Sequence, residues 1–175
     1  MRSMTLLGPD FTQGERRMIV SYITTGAFGA VVALLVVFRL GGEEIFRRGL
    51  SLYEIWILAS GALGAMLALR MTRDRLGRPG LRDPALGILG ASFLGAIIAG
   101  TLALPLYGTM FGPFAMFVVF VGSPFTALLW FANLILVHFM MRLWHAERDS
   151  IFGASMPTPI SDIFAGVLTR ISLRP

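Results

Sequence analysis

The stretch from Leu104 to Trp144, LPLYGTMFGPFAMFVVFVGSPFTALLWFANLILVHFMMRLW, limits what this chain can fold into more than any other. It is almost wholly apolar. A helix needs about 20 residues to cross the hydrocarbon of a bilayer, so the run is too long for one crossing and, with its turns, too short for two. Breakers at Pro105, Gly108, Gly112-Pro113 and Gly122-Ser123-Pro124 divide it. Ser123-Pro124 has the form of an N-cap hydroxyl followed by proline at the first helical position. The spacing therefore predicts a span over 124–144, about 30 Å long at 1.5 Å per residue. Residues 113–121 remain as about 14 Å of helix, able to dip into the membrane face or lie on it but not to cross.

Three further apolar runs precede this one. Met18–Phe38 carries no charge across 21 positions and is flanked by Arg16 and Arg17. It is longer than a signal-peptide core, and Phe38-Arg39-Leu40 offers no small-x-small cleavage site, so it reads as an uncleaved first span. Ser51-Leu52-Tyr53-Glu54 has the S-x-x-E pattern of a capping box and opens a second span over 52–69. Asp83-Pro84 repeats the cap-and-proline pattern and opens a third over 84–104. Near the C-terminus, Thr158-Pro159 precedes Ile160, Ile163, Phe164, Val167, Leu168 and Ile171, an amphipathic period that predicts an interfacial helix over 159–172. The expected fold is all-α: a polytopic membrane protein with four transmembrane helices in one bundle over 1–175. A short broken or re-entrant helix would lie between spans three and four, with an amphipathic helix at the C-terminus.

Composition agrees. Hydrophobic residues make up 55% of the chain and charged ones 14%, with a mean hydropathy of +0.74, whereas soluble domains carry about 25% charge. There is no cysteine, which excludes disulfides, thiolate metal sites and thiol nucleophiles. Every basic residue is arginine, and these sit at the ends of the apolar runs. With both termini on one side of the membrane, twelve of the fifteen arginines fall on that side, and Arg39, Arg47 and Arg48 on the other. The positive-inside bias places both termini and the 70–83 loop in the cytoplasm of a bacterial inner membrane. Arginine at span ends sets orientation and meets anionic lipid, so the high pI does not point to nucleic acid.

Candidate sites are few. Glu54 is the only acid within a span, and its place three residues after Ser51 assigns it to the helix cap. His138 and His145 share one helix; an imidazole can bind a pigment or relay a proton, but a bis-histidine haem draws its ligands from two helices. His138, Asn133 and Trp130 are the candidate cofactor contacts, with Asn133 expected to bond across to a neighbouring helix. No cofactor or metal is predicted; a quinone, carotenoid, pigment or bound lipid remains open. Small residues recur at four-residue intervals, at Ala91, Gly95, Ala99 and Ala103 in the third span and Ser60, Gly64 and Ala68 beside Gly61 in the second. Such rows let helices pack closely in lipid, and Gly61, Gly64, Ala91, Gly95 and Ala99 are the expected packing positions, toward this chain or a partner. Arg70, Arg73, Arg75, Arg78, Arg82, Trp144 and Arg170 are the expected lipid-interface residues.

No P-loop, H-E-x-x-H or G-x-S-x-G occurs, and no two acids share one depth. The sequence therefore predicts a non-enzymatic chain: an accessory, assembly or structural subunit of a larger inner-membrane complex, with membrane lipids and other membrane subunits or itself as partners. The alternative is the small membrane subunit of a solute transporter or a homo-oligomeric transporter.

Overall fold

The computed structural model describes residues 12–42, 47 and 49–153. Among them are five helices and no strand: α1 (Gln13–Gly41), α2 (Leu52–Thr72), α3 (Arg82–Ala103), α4 (Gly108–Gly122) and α5 (Pro124–Gly153). Four of these, all but α4, are long and apolar enough to cross a membrane, and the chain has the build of a multi-pass membrane protein. Helices are what such a composition must form, because hydrocarbon offers no partner to an unpaired peptide group. The expected C-terminal helix over 159–172, and Arg170 with it, lies outside the described residues.

The helix ends follow from local chemistry. At Ser51 the hydroxyl accepts the Glu54 N–H at 3.3 Å while the Glu54 carboxylate accepts the Ser51 N–H at 2.7 Å, a complete capping box. The same reciprocal pair joins Thr12 and Glu15 ahead of α1, at 3.2 and 3.0 Å. This T-x-x-E start places α1 five residues before the apolar run expected from Met18. Gly42, at φ +61°, ends α1 by donating its N–H to the Phe38 carbonyl. The start of α3 differs from the expected Asp83 cap. Leu81 is the N-cap without a side-chain bond, and Asp83 lies within the first turn, 3.9 Å from Arg78. Pro84 still falls among the first-turn positions whose N–H has no helical partner, so the proline costs nothing there.

The short element also differs. In place of a half-helix over 113–121, α4 is a fifteen-residue helix that runs through Gly112-Pro113. Its first two glycines, Gly108 and Gly112, face Gly100 and Ala96 of α3 in direct backbone contact. That contact holds the start of the helix in place, and Pro113, its sixth residue, removes the bond its N–H would have made to the Thr109 carbonyl. The α5 helix starts at Pro124, as its spacing predicts, although the Ser123 hydroxyl pairs with the Thr126 hydroxyl at 2.8 Å.

In the bundle α2 lies between α1 and α3, α5 packs along α1, and α4 lies against α3 and touches α1 and α5. The pairings of α2 with α1 and with α3 use small residues on both sides. Gly29 and Ala33 of α1 meet Gly61 and Ala65 of α2; Gly64 of α2 meets Gly95 and Ala99 of α3. Two core clusters complete the interior: Ala65, Ala91, Trp130 and Leu134 midway, and Leu69, Leu76, Val137 and Met141 toward the arginine-rich end.

This packing makes opposite predictions for two neighbouring glycines. A Cβ on Gly64 would stand 2.7 Å from the Ala99 nitrogen and 2.8 Å from the Gly95 carbonyl, whereas a Cβ on Gly95 would meet nothing nearer than 3.5 Å. Gly64→Ala should lose about 1–3 kcal/mol to overpacking. Gly95→Ala should gain up to about 1 kcal/mol from the stiffer helix. Thermal unfolding of both variants in mild detergent checks this; equal melting temperatures would contradict the packing.

Candidate functional site

The two ends of the bundle have different chemistry. At one end lie the start of α1, the α2–α3 loop and the C-terminal part of α5: Gly14 packs on Trp144 and Glu147, and Gly77 packs on Met141, Arg142 and His145. This end carries Arg16, Arg17, Arg70, Arg73, Arg75, Arg78, Arg82, Arg142 and Arg148. At the other end Arg39 donates to the Gly122 carbonyl at 3.0 Å, fastening the last turn of α1 to the last turn of α4.

The α2–α3 loop at the arginine-rich end is not a free connector. Leu76 is fully buried against Leu69, Val137 and Met141, and its side chain also fills the space beside Gly87. Gly77, at φ +87°, turns the chain where a Cβ would collide with His145 and the α5 backbone. Its N–H donates to Nδ1 of His138 at 2.9 Å. That bond requires an unprotonated Nδ1, which leaves Nε2 as the N–H of the neutral ring. His138 is thus occupied as an acceptor for loop backbone. His145, seven residues on, stacks beside Trp144 with ring centroids 4.7 Å apart, and its Nε2 is buried without a hydrogen-bond partner among the described residues.

The three candidate cofactor contacts do not converge on one point. Trp130 and His138 lie two turns apart on α5, about 12 Å at 1.5 Å per residue. Trp130 donates its indole N–H to the Ser92 hydroxyl at 2.9 Å, tying α5 to α3 in the core. Asn133 is buried, and its Nδ2 has no hydrogen-bond partner among the described residues. Thr25 Oγ1 is a second such atom. Other hydroxyls in the helices are satisfied locally: Ser60, Thr72, Ser92 and Thr101 each donate to the carbonyl four residues back. No group of three His, Cys, Asp or Glu able to hold a metal occurs among the described residues.

The small-residue positions all face inward. Gly61 lies against Gly29 and Ala33, Gly64 against Gly95 and Ala99, and Ala91 in the midway core. Sequence reasoning missed the second half of this pattern. Gly108 and Gly112 form a G-x-x-x-G step, and they meet Ala96 and Gly100, a matching step on α3. The signal was present as spacing but shared its glycines with the turn signals around Pro105 and Pro113. Of the expected interface residues, Arg70, Arg75, Arg78 and Arg82 are exposed and Arg73 half-buried, while Trp144 packs under Arg148, whose guanidinium carbon lies 5.1 Å from the ring centroid.

At the centre is a cavity of about 220 Å³ between α1, α2, α3 and α4. Among the described residues no charged side chain lines it, and Trp130 with Ser92 closes one end. No protein-family model matches the chain, and no curated protein or solved structure matches it either.

The loop geometry predicts a measurable effect. His138→Ala should leave the Gly77 N–H unpaired at a cost of about 1–3 kcal/mol. Amide exchange should then accelerate at Gly77 and its loop neighbours while the midway core keeps its protection. Unchanged exchange at Gly77 would show that the bond does not hold the loop.

Proposed function

We propose that this chain is a non-catalytic accessory or assembly subunit of a larger bacterial inner-membrane complex, acting by helix packing and lipid contact. The observation that carries this reading is how the bundle distributes its side chains. Small residues are used up between its own helices, most helix hydroxyls bond their own helix's carbonyls, and the one histidine within the apolar part of a span binds loop backbone. The faces left outside are broad and apolar, with Phe114, Phe117 and Val121 on α4 and Phe125, Ile135 and Phe139 on α5 exposed. Such faces suit annular lipid or the large side chains of a neighbouring subunit, where association rests on packing. The arginine-rich end, with the start of α1 and the end of α5, belongs in the cytoplasm under the positive-inside rule. The second reading is the small membrane subunit of a solute transporter or a homo-oligomeric transporter; for a charged solute it would need a counter-charge, and none of the described residues lining the central cavity is charged.

Gentle solubilisation of native membranes followed by native mass spectrometry tests the proposal. The expected result is a complex of fixed stoichiometry whose yield falls when this chain is deleted. A lone chain whose purified form moves a solute across vesicles, with flux abolished by Glu54→Gln at unchanged abundance, would replace the subunit reading with transport.

A further inference from the structure

The central cavity is a well that runs along the helix axes. Tyr53, Ile57, Gly61 and Ala65 line it from α2, Gly29 to Leu40 from α1, and Ser92 to Leu104 from α3. On α2 the lining runs from Tyr53 to Ala65, twelve steps of 1.5 Å or about 18 Å. Exposure shows which end is open. Leu40 is 69% exposed, Tyr53 51% and Leu104 37%, whereas Ala65 is 3% and Ser92 and Trp130 4%. The mouth therefore lies at the end where α1 finishes and α2 begins, and the floor is the Trp130–Ser92 hydrogen bond.

The well exists because its walls are built from residues chosen for close approach. Gly29, Ala33 and Gly61 bring α1 onto α2; Gly95, Ala99, Gly100 and Gly112 bring α3 onto α2 and α4. The same side chains leave the axis between α1 and α3 unfilled. Apolar walls keep such a space dry, and an unfilled wall forfeits dispersion contacts. A volume of about 220 Å³ takes about the last seven carbons of one hydrocarbon chain, at roughly the 30 Å³ of a water each, and not two chains side by side. Arg39 is exposed and lines a smaller cleft that adjoins the well through Val36, Leu40, Phe111 and Ala115, its guanidinium held at the α1–α4 junction by the Gly122 carbonyl. An arginine there matches a phosphate.

We infer that the well holds the end of one acyl chain of an anionic glycerophospholipid, its phosphate at Arg39 and its terminal methyl near Trp130. The chain exchanges one hydrocarbon surrounding for another, so what holds it is regained packing along the walls and the charge in the adjoining cleft, not hydrophobic transfer. This inference stands whether or not the protein is a subunit of a larger assembly.

Trp130 reports the occupant directly, because it is shielded from bulk lipid and forms the floor of the well. The test uses Trp56→Phe with Trp144→Phe, leaving Trp130 as the sole tryptophan, in vesicles of phosphatidylglycerol brominated near the acyl terminus. Most Trp130 emission should be lost relative to plain phosphatidylglycerol. Ala103→Phe and Ala115→Phe, which obstruct the well, should restore it at an unchanged melting temperature. Arg39→Gln should weaken quenching by phosphatidylglycerol to the level given by brominated phosphatidylcholine. Emission indifferent to bromine in the unobstructed protein would overturn the inference, as would equal quenching in folded obstructed variants. A quinone or carotenoid mass on the natively purified chain, in place of a phospholipid, would overturn the assignment of the occupant. If both obstructed variants fail to fold, the comparison of brominated and plain lipid in the unobstructed protein decides alone.

Discussion

Backbone-to-backbone approach of helices in hydrocarbon is the constraint on which this structure depends. Lipid tails are as apolar as leucine, so burying leucine between helices gains little, and association comes from packing that only small residues permit. The contacts of α2 and α3 have that form: Gly29 and Ala33 on Gly61 and Ala65, Gly64 on Gly95 and Ala99, Gly100 and Ala96 on Gly108 and Gly112. The α3 helix does this on two sides at once. Ala91, Gly95 and Ala99 turn toward α2 and its core, while Ser92, Ala96 and Gly100 turn toward Trp130 and α4. The central well follows from the same choice, since side chains small enough to let three helices touch are too small to fill the space they surround.

The polar ends are handled by different means. At its end, α3 offers carbonyls that the helix cannot satisfy, and the Trp56 indole N–H donates to Leu102 O at 3.0 Å. At the other end α2, with 21 residues against 29 in α1 and 30 in α5, leaves space beneath it. The α2–α3 loop folds back into that space, with Leu76 as its apolar anchor and the Gly77–His138 bond as its polar one. The loop's arginines point outward as a result, and Arg73 and Arg78 make only long, exposed pairs with Asp74 and Asp83. Exposed pairs of this kind contribute about 0–1 kcal/mol, so the loop is held by Leu76 and Gly77 and not by its charges.

Much of the fold was legible because hydropathy over about 20 residues is a strong signal. The Ser51–Glu54 cap was legible because its two partners are three residues apart. The identical Thr12–Glu15 cap lay just as open but was hidden behind the arginine pair, which reads as a membrane boundary. Gly112-Pro113 reads as a break because both residues disfavour an isolated helix; tertiary contact with α3 outweighs that preference. The partner of His138 could not be read at all. It is a backbone N–H sixty-one positions away, and no side-chain pattern encodes it. The well is illegible for a related reason, since it depends on volume that side chains leave empty.

The central claim is that the small-residue steps close on each other within one chain, and the α3–α4 pair offers the most direct measurement. The Thr101 and Thr109 hydroxyls lie 3.0 Å apart, one on each helix, and the chain has no cysteine of its own. Replacing both by cysteine and oxidising in native membranes should yield an intramolecular disulfide, seen as a reduction-sensitive shift of the monomer band. Exclusive formation of disulfide-linked dimers, or no crosslink at all, would contradict the account.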